Sequence, residues 1–224
     1  MRLRNIPSAR QELADSSYVI SETSLSSLRG HWAELFGNGH PLHLEIGMGK
    51  GQFLLELARR EPGVNFIGIE RYSSVLVHPV RKLEALAESP APLTNLRLIR
   101  MDAELLTETF APAEVERIYL NFSDPWPKER HAKRRLPGRV FLDRYARILS
   151  PGGRVEFKTD NRSLFDFALD EAGQAEWVID ACTYDLHADR SMKEGNILTE
   201  YEKRFSDLGN PICKLIEHPV RYLC

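Results

Sequence analysis

The polar and apolar positions of this chain alternate between short apolar runs and longer stretches with a helical period. The short runs have the length of buried strands, and breaks rich in Gly, Pro and Asn bound them. We predict strands over residues 42–46, 65–70, 96–100, 117–122, 152–161, 177–183, 200–205 and 212–217. We predict helices over residues 24–36, 52–60, 73–87, 137–149 and 161–172. Strands that alternate with helices indicate an α/β fold on a largely parallel sheet, and the turn at 207–211 predicts a closing hairpin.

The first predicted strand runs into a turn with glycine at every second position, Gly47, Gly49 and Gly51. Glycine permits positive φ angles and lets a ligand approach bare backbone, and the following helix directs its N–H groups to the same place. A phosphate-binding P-loop is excluded because Lys50 is not followed by Ser or Thr, and Gln52 disfavours a dinucleotide fingerprint. The turn therefore predicts a cradle for a nucleotide-like cofactor, with a purely structural glycine turn as the alternative.

Acidic residues end three of the predicted strands, namely Glu45, Glu70 and Asp102. In a doubly wound sheet the tip of the second strand lies where a bound ribose presents its hydroxyl groups, which a carboxylate accepts. Glu70 therefore predicts a nucleoside ligand, and it suits S-adenosylmethionine (SAM) and NAD equally. Asp102 is placed to accept a hydrogen bond from an adenine amino group. Solvated acids at strand ends are the alternative interpretation.

The fourth predicted strand leads into residues 123–136, the most unusual segment of the chain. Two prolines flank Trp126 there, and Asp124 precedes them, so both side chains have little freedom to lose on binding. Cationic side chains follow, and we expect them to contact phosphates: Arg130, His131, Lys133, Arg134 and Arg135. A proline-rich turn followed by solvated charges is the alternative.

Composition narrows these interpretations. The chain has 224 residues, of which 42% are hydrophobic and 28% charged, which suits one large α/β domain. Its net charge of -2 means that any nucleic-acid binding must come from a local patch. Three widely spaced cysteines, Cys182, Cys213 and Cys224, disfavour a disulfide framework and a zinc site, and they favour a reduced cytoplasmic setting. No apolar run reaches the roughly 18 residues that a membrane span needs.

At the beginning of the chain, apolar residues do not recur with a sustained helical or strand period. We predict a flexible N-terminal arm over residues 1–23 and a single domain over residues 24–224. Arg2, Arg4 and Arg10 of the arm are candidate phosphate contacts, although solvated terminal charges are the more ordinary explanation.

Three segments of this chain carry motifs of one known family. Residues 121–128 (Asn-Phe-Ser-Asp-Pro-Trp-Pro-Lys), with His131 and residues 133–136, are similar to the signature of the tRNA (guanine-N7-)-methyltransferase family, TrmB. The Thr-Asp at the end of the fifth predicted strand and the Thr-x-Tyr-Glu of residues 199–202 extend the similarity, which runs from about residue 42 to 205. Glu129 is a departure, since the family commonly has a basic residue there, and an acid weakens the attraction for phosphates.

The resemblance implies a fold and an activity. The fold is the Rossmann-like class I SAM-dependent methyltransferase fold, a mostly parallel seven-stranded sheet with helices on both faces and an antiparallel C-terminal hairpin. The activity is transfer of the methyl group of S-adenosyl-L-methionine to N7 of a guanosine in the variable loop of tRNA, which leaves S-adenosyl-L-homocysteine. The implied partner is tRNA, in the cytoplasm, without membrane or metal, and the protein is expected to be a monomer or a homodimer.

The resemblance also assigns site residues. The implied cofactor-binding residues are Glu45, Gly47, Gly49, Gly51, Glu70, Asp102 and Asp124. The implied substrate contacts are Lys128, Asp160, Thr199, Glu200, Tyr201 and Glu202. Because N7 of guanine has a lone pair and no proton, methyl transfer needs no general base, so positioning and electrostatics suffice. We assign Asp124 as the catalytic residue, whose carboxylate accepts hydrogen bonds from N1–H and N2–H as the purine gains positive charge.

Three other functions fit parts of the sequence. A SAM methyltransferase for small molecules is disfavoured by the basic loop, and an NAD-linked dehydrogenase is disfavoured by Gln52. A non-catalytic RNA-binding module would keep the glycine turn without chemistry, and titration with SAM would separate it from an enzyme.

Overall fold

The computed structural model describes residues 5–220 of the chain. The interpretations given to Arg2, Arg4 and Cys224 lie outside these residues. The chain forms two compact units, Met1–Ala111 and Pro112–Cys224.

The first unit contains four parallel strands, in the spatial order β1–β4–β3–β2. Their bounds are Val19–Ile20 for β1, Leu42–Ile46 for β2, Asn65–Glu70 for β3 and Leu96–Arg100 for β4. All residues of β2 and β3 are buried, as expected for parallel strands covered on both faces. The predictions for β2, β3 and β4 are confirmed at both ends, because turn residues bound each short apolar run.

The described residues of the same unit form six α-helices: α1 Ala9–Asp15, α2 Leu25–Leu28, α3 Trp32–Phe36, α4 Gln52–Arg60, α5 Ser73–Ala87 and α6 Leu106–Thr109. The predictions for α4 and α5 are confirmed, and Pro79 lies inside α5. The single helix predicted over 24–36 is wrong. Gly30 has a φ of 86° and separates α2 from α3, while Gly37 ends α3 in the left-handed conformation.

The segment predicted as an arm contains α1 and β1. Helix α1 packs on α5, with Ala9 and Leu13 buried, and Arg81 of α5 donates two hydrogen bonds of 2.7 Å to Glu12. Strand β1 extends the sheet by pairing with β4. The described part of this segment is therefore held by packing and pairing, whereas the boundary at residue 23 and the flexibility stay predictions.

The second unit contains the other four strands, in the order β5–β6–β8–β7. Their bounds are Val115–Asn121 for β5, Leu149–Thr159 for β6, Trp177–Thr183 for β7 and Cys213–Pro219 for β8. The pair β5/β6 is parallel, while β6/β8 and β8/β7 are antiparallel. The described residues thus form eight strands rather than seven, and the two-residue β1 is the additional one.

Up to residue 220, the second unit also contains four α-helices: α7 Arg139–Ile148, α8 Arg162–Gln174, α9 Arg190–Lys193 and α10 Glu200–Asp207. Asn161 begins α8 by accepting a hydrogen bond of 2.8 Å from the N–H of Leu164. The strand predicted over 200–205 is wrong, since this segment is α10. The hairpin predicted there is wrong as well, because β8 pairs with β7 and β6. Thr199 starts α10 by accepting from the N–H of Glu202, and this capping favours a helix over a strand.

Candidate functional site

The glycine turn after β2 is fixed by hydrogen bonds to the neighbouring strand. Gly47, Gly49 and Gly51 have φ angles of 74°, 56° and 71°, so all three need the freedom of glycine. The N–H groups of Gly47 and Met48 donate to the carbonyl of Ile69 in β3, at 2.9 and 3.1 Å. The turn therefore has a fixed shape before any ligand binds.

The glycines of this turn have different surroundings. A Cβ at Gly49 would meet no atom within 4 Å, and Gly47 is exposed, so both leave bare backbone open to a ligand. A Cβ at Gly51 would lie 2.8 Å from Met48 Cε and from Pro79 Cβ. Gly51 thus permits close packing of the turn against α5, whereas Gly47 and Gly49 offer the ligand approach that the sequence predicted for all three.

The three predicted acids lie at the carboxyl edge of adjacent parallel strands. Glu45 is buried in β2, and Glu70 ends β3. Glu70 Oε2 accepts from the N–H of Gly49 at 3.2 Å, and its Oε1 accepts from the N–H of Tyr72 at 3.0 Å. Asp102 follows β4 and accepts from the N–H of Glu104 at 3.0 Å. The first unit therefore brings together the glycine turn and all three carboxylates at the edge where open α/β sheets bind ligands.

In the second unit, two residues with positive φ bracket the Asp124 loop. Phe122 has a φ of 52° and Trp126 a φ of 42°. Such angles cost about 1–3 kcal/mol for residues other than glycine, so surrounding contacts must hold them. The N–H of Phe122 donates to the carbonyl of Lys158 at 2.9 Å. Asp124 itself is exposed between these two fixed points.

Arg135 holds the other end of this loop. Its side chain is 10% exposed, and both Nε and Nη2 donate to the carbonyl of Trp126, at 3.3 and 3.2 Å. Its guanidinium lies 4.5 Å from the ring centre of Phe167. The sequence predicted Arg135 as a phosphate contact, but the structure directs its guanidinium toward the protein.

The remaining members of the predicted phosphate-binding set lie near the Trp126 ring or in solvent. Arg134 places its guanidinium 4.9 Å from that ring centre, and the His131 ring lies 5.6 Å away, edge to face. Arg130 and Lys133 are exposed, as is Lys128 before them. We define the basic cluster as Lys128, Arg130, His131, Lys133 and Arg134, which leaves Arg135 out.

The Thr-x-Tyr-Glu segment divides into buried and exposed members. Glu202 is fully buried, where its Oε2 accepts from Lys158 Nζ at 2.8 Å and its Oε1 accepts from Asn196 Nδ2 at 2.8 Å. His187 Nε2 lies 3.1 Å from the same Oε1. Thr199 is also buried and caps α10. Both residues predicted to contact substrate are therefore engaged inside the unit.

Sequence reasoning missed Lys158, His187 and Asn196, the partners of Glu202. Lys158 also donates to the carbonyl of Ile197 at 3.3 Å. In the sequence Arg154, Glu156 and Lys158 alternate with Val155 and Phe157, which is the pattern of a solvent-exposed polar face, so no local signal marked the burial of Lys158.

Tyr201 and Glu200 are the exposed members of that segment. The Tyr201 ring lies 4.7 Å from the Phe122 ring, and its hydroxyl donates to Asp160 Oδ1 at 3.4 Å. Tyr201 is only partly exposed, and the partial loss of solvent around its hydroxyl, followed by the charges of Asp160 and Asp124, raises the pKa of Tyr201 to about 12. The second unit thus brings Asp124, Asp160 and Tyr201 into electrostatic reach of one another.

Two kinds of feature are absent from the part of the chain that the structure describes. Between residues 5 and 220, no group of His, Cys, Asp and Glu side chains has the arrangement of a metal site. No helix within the same range is long and apolar enough to cross a membrane.

Comparison with known proteins identifies a family and a fold. A family model described as a putative methyltransferase matches residues 39–215. A tRNA (guanine-N(7)-)-methyltransferase of Lachnoclostridium phytofermentans is 52% identical over 216 residues, which covers 96% of this chain and 97% of the relative. The relative of the same name in Bacillus subtilis is 45% identical over 212 residues, with 95% and 96% covered.

Solved structures show the fold alone, because their sequence identities are low. An antibiotic-related methyltransferase matches with a TM-score of 0.61 and 20% identity, over 85% of this chain and 94% of its own. The 16S rRNA methyltransferase KamB matches with a TM-score of 0.60 and 16% identity, over 88% and 93%. Together with the mostly parallel strands, these matches confirm the predicted methyltransferase fold class.

Proposed function

The chain belongs to the tRNA (guanine-N7-)-methyltransferase family, TrmB, and we propose that it transfers the methyl group of SAM to N7 of a guanosine in the variable loop of tRNA. The observation that carries the proposal is 52% identity to a relative of that name over 96% of the chain. The geometry supports it, since the glycine turn and the strand-end acids suit a nucleoside cofactor. We also infer a cytoplasmic location, and the choice between monomer and homodimer stays a prediction.

Residues of the first unit suit SAM. Gly47 and Gly49 offer open backbone, which lets a ligand lie against the turn. The Glu70 carboxylate is already oriented by two backbone N–H groups, so it accepts ribose hydroxyls with little ordering cost. We infer that Glu45 lies near the methionine amine, that Asp102 accepts from the adenine amino group, and that Gly51 keeps the turn packed. When bound, SAM supplies an electrophilic methyl group on a sulfonium.

Asp124 is the residue that we place at the guanine. N7 attacks with its own lone pair, and the purine gains positive charge as the methyl bond forms. A carboxylate that accepts from N1–H and N2–H selects guanine and stabilises this charge in the transition state. Asp124 is exposed, and the fixed backbone at Phe122 and Trp126 limits its motion, which meets the need for positioning. The sequence also predicted Asp124 as a cofactor ligand, and its substitution separates the two roles.

The basic cluster is proposed to contact tRNA phosphates. Its four Lys and Arg side chains are exposed, and Arg134 and His131 flank the Trp126 ring. Asp160 and Tyr201 are placed to contact the guanine or its nucleotide, and Glu200 is an exposed neighbour. Thr199 and Glu202 support α10 from inside, so we assign them, with Arg135, to positioning rather than to substrate contact.

The test is incubation of the protein with labelled SAM and unmodified tRNA, followed by mapping of the modified base. We expect 7-methylguanosine in the variable loop. Asp124→Asn should lower kcat by about 10²–10³-fold, as loss of one transition-state hydrogen bond does, and leave the Kd for SAM within about twofold. Asp143→Asn, an exposed acid on α7, is the matched control and should keep wild-type kinetics. Parallel losses of kcat and SAM affinity in Asp124→Asn would make Asp124 a cofactor ligand instead.

A further inference from the structure

Of the described residues that line two adjoining cavities in the first unit, one was singled out from the sequence: Arg10, a candidate phosphate contact of the predicted arm. The larger has a volume of about 600 Å³ and the smaller about 320 Å³, and Arg10, Ser73 and Arg100 line both. Arg71 and Tyr72, which directly follow β3, line the larger cavity only. We call the larger cavity the arginine groove. Its volume lies within the range of about 300–1,000 Å³ typical of ligand sites, which is enough for a nucleotide.

The wall of the arginine groove is cationic. Of the described residues that line it, three are arginines and none is acidic. The three come from separate elements, because Arg10 is on α1, Arg71 follows β3 and Arg100 ends β4. Adjacent strands β3 and β4 fix two of these positions at one edge of the sheet, and packing of α1 on α5 fixes the third. Convergence of this kind differs from a run of charges along one solvated helix face.

Two acids touch these arginines from outside the groove. Arg71 Nη1 lies 3.3 Å from Asp102 Oδ2, and Arg100 forms an ion pair with Glu22. Exposed pairs contribute only about 0–1 kcal/mol, and a guanidinium carries five N–H donors. Both arginines therefore keep donors for a phosphate, which accepts them in forked geometry.

An aromatic ring lies beside these cations. Tyr72 is 46% exposed, and the guanidinium of Arg71 lies 5.8 Å from its ring centre. Proteins bind single-stranded RNA by stacking unpaired bases on aromatic rings and arginine planes while cations contact the backbone. The groove therefore combines N–H groups that can donate hydrogen bonds to phosphates with an aromatic ring on which a base can stack.

Resting on tRNA as the substrate of the proposed function, we propose that the arginine groove binds a segment of the tRNA. Arg10, Arg71 and Arg100 contact its phosphates, and a base stacks on Tyr72. This surface is additional to the basic cluster of the second unit. It supplies local positive charge in a protein whose net charge is -2.

The test compares two double variants of the full chain. Arg10→Ala with Arg71→Ala removes two groove cations, and Arg59→Ala with Arg60→Ala removes two exposed cations of α4 in the same unit. The Kd for tRNA is measured over a salt series by filter binding. Each lost phosphate contact makes the negative slope of log binding constant against log salt concentration shallower by about 0.7–0.9. The Arg10→Ala, Arg71→Ala variant should therefore have a slope shallower by about 1.4–1.8, and its affinity for tRNA should fall about tenfold. The α4 pair should keep the wild-type slope.

Further measurements separate the possible failures. Tyr72→Phe should keep tRNA affinity, while Tyr72→Ala should lose it without a change in salt slope. The proposal is overturned if the Arg10→Ala, Arg71→Ala variant keeps the wild-type salt slope and Kd for tRNA. It is also overturned if this variant loses only SAM affinity, which would make Arg71 a cofactor contact. If the wild-type protein methylates tRNA while the groove variants behave normally, only the groove fails. If the wild-type protein does not methylate tRNA, the proposed function fails first.

Discussion

Glu217 on β8 links the stability of the second unit to pH. It is fully buried, and between residues 5 and 220 neither of its carboxylate oxygens has a hydrogen-bond partner. Its neighbours across the sheet are Val155 and Ile179. Burial in this apolar setting raises the pKa of Glu217 from 4.5 to about 8. The folded protein therefore keeps Glu217 protonated at neutral pH, and Glu217→Gln is a neutral replacement of the same shape.

The expected effect follows from the two pKa values. Between pH 4.5 and about 8 the folded state holds a proton that the unfolded state has released, so stability falls as pH rises. The contribution is most favourable below pH 4.5, and its loss is complete above the folded pKa. Each pH unit in the window costs about 1.4 kcal/mol, so the wild-type protein should lose about 3 kcal/mol between about pH 5 and 7.5 from this group alone. The Gln variant carries no such dependence.

Urea unfolding at several pH values measures this difference, with tryptophan fluorescence as the signal, since Trp177 on β7 pairs with the end of β8. The free energy of unfolding of Glu217→Gln minus that of the wild type should grow by about 3 kcal/mol from about pH 5 to 7.5. Glu194→Gln changes an exposed acid and should give a constant difference. A pH-independent difference for Glu217→Gln would refute the reasoning, because it would mean that the carboxylate is already ionised in the folded protein.

Two other substitutions test the positioning roles. Arg135→Lys loses the two-donor contact with the Trp126 carbonyl, so kcat should fall by about tenfold or more while the salt slope of tRNA binding stays unchanged; a shallower slope would make Arg135 a phosphate contact. Glu202→Gln leaves Lys158 as a buried cation without its counter-ion, so urea unfolding should show a loss of about 3–5 kcal/mol. If Glu202→Gln instead keeps wild-type stability and raises the KM for tRNA, Glu202 is a substrate contact.

Local chemistry in the sequence was enough to predict three of the four strands of the first unit, β2, β3 and β4, but not the two-residue β1. The strands at 42–46, 65–70 and 96–100 are apolar runs between turn residues, so their ends are marked by the chain itself. The segment 200–205 fits a strand or a helix equally by period, but Thr199-Glu200-Tyr201-Glu202 has the capping-box pattern of a helix start, a local signal that the strand prediction did not use. Its helix depends on the Thr199 cap and on burial of Glu202 among partners distant in sequence, which periodicity does not report.

The site shows the same division. The acids Glu45, Glu70 and Asp102 were found because strand ends in a parallel sheet share one edge. The run of cations after Asp124 was also visible, but the inward turn of Arg135 was not. Which member of a charged run turns inward is decided by a carbonyl acceptor and an aromatic ring, here those of Trp126 and Phe167, and composition carries no record of them.

The buried contact between Lys158 and Glu202 restricts how this sequence diverges over evolution. A substitution that removes the charge of one residue leaves the other charge buried without its counter-ion. Such single substitutions should therefore be strongly destabilising. Exchange of both residues for apolar ones would also remove the partners of His187, Asn196 and the Ile197 carbonyl, so His187 and Asn196 should change together with the pair. We therefore expect the two positions to co-vary among relatives, as a salt-bridged pair or as an apolar one.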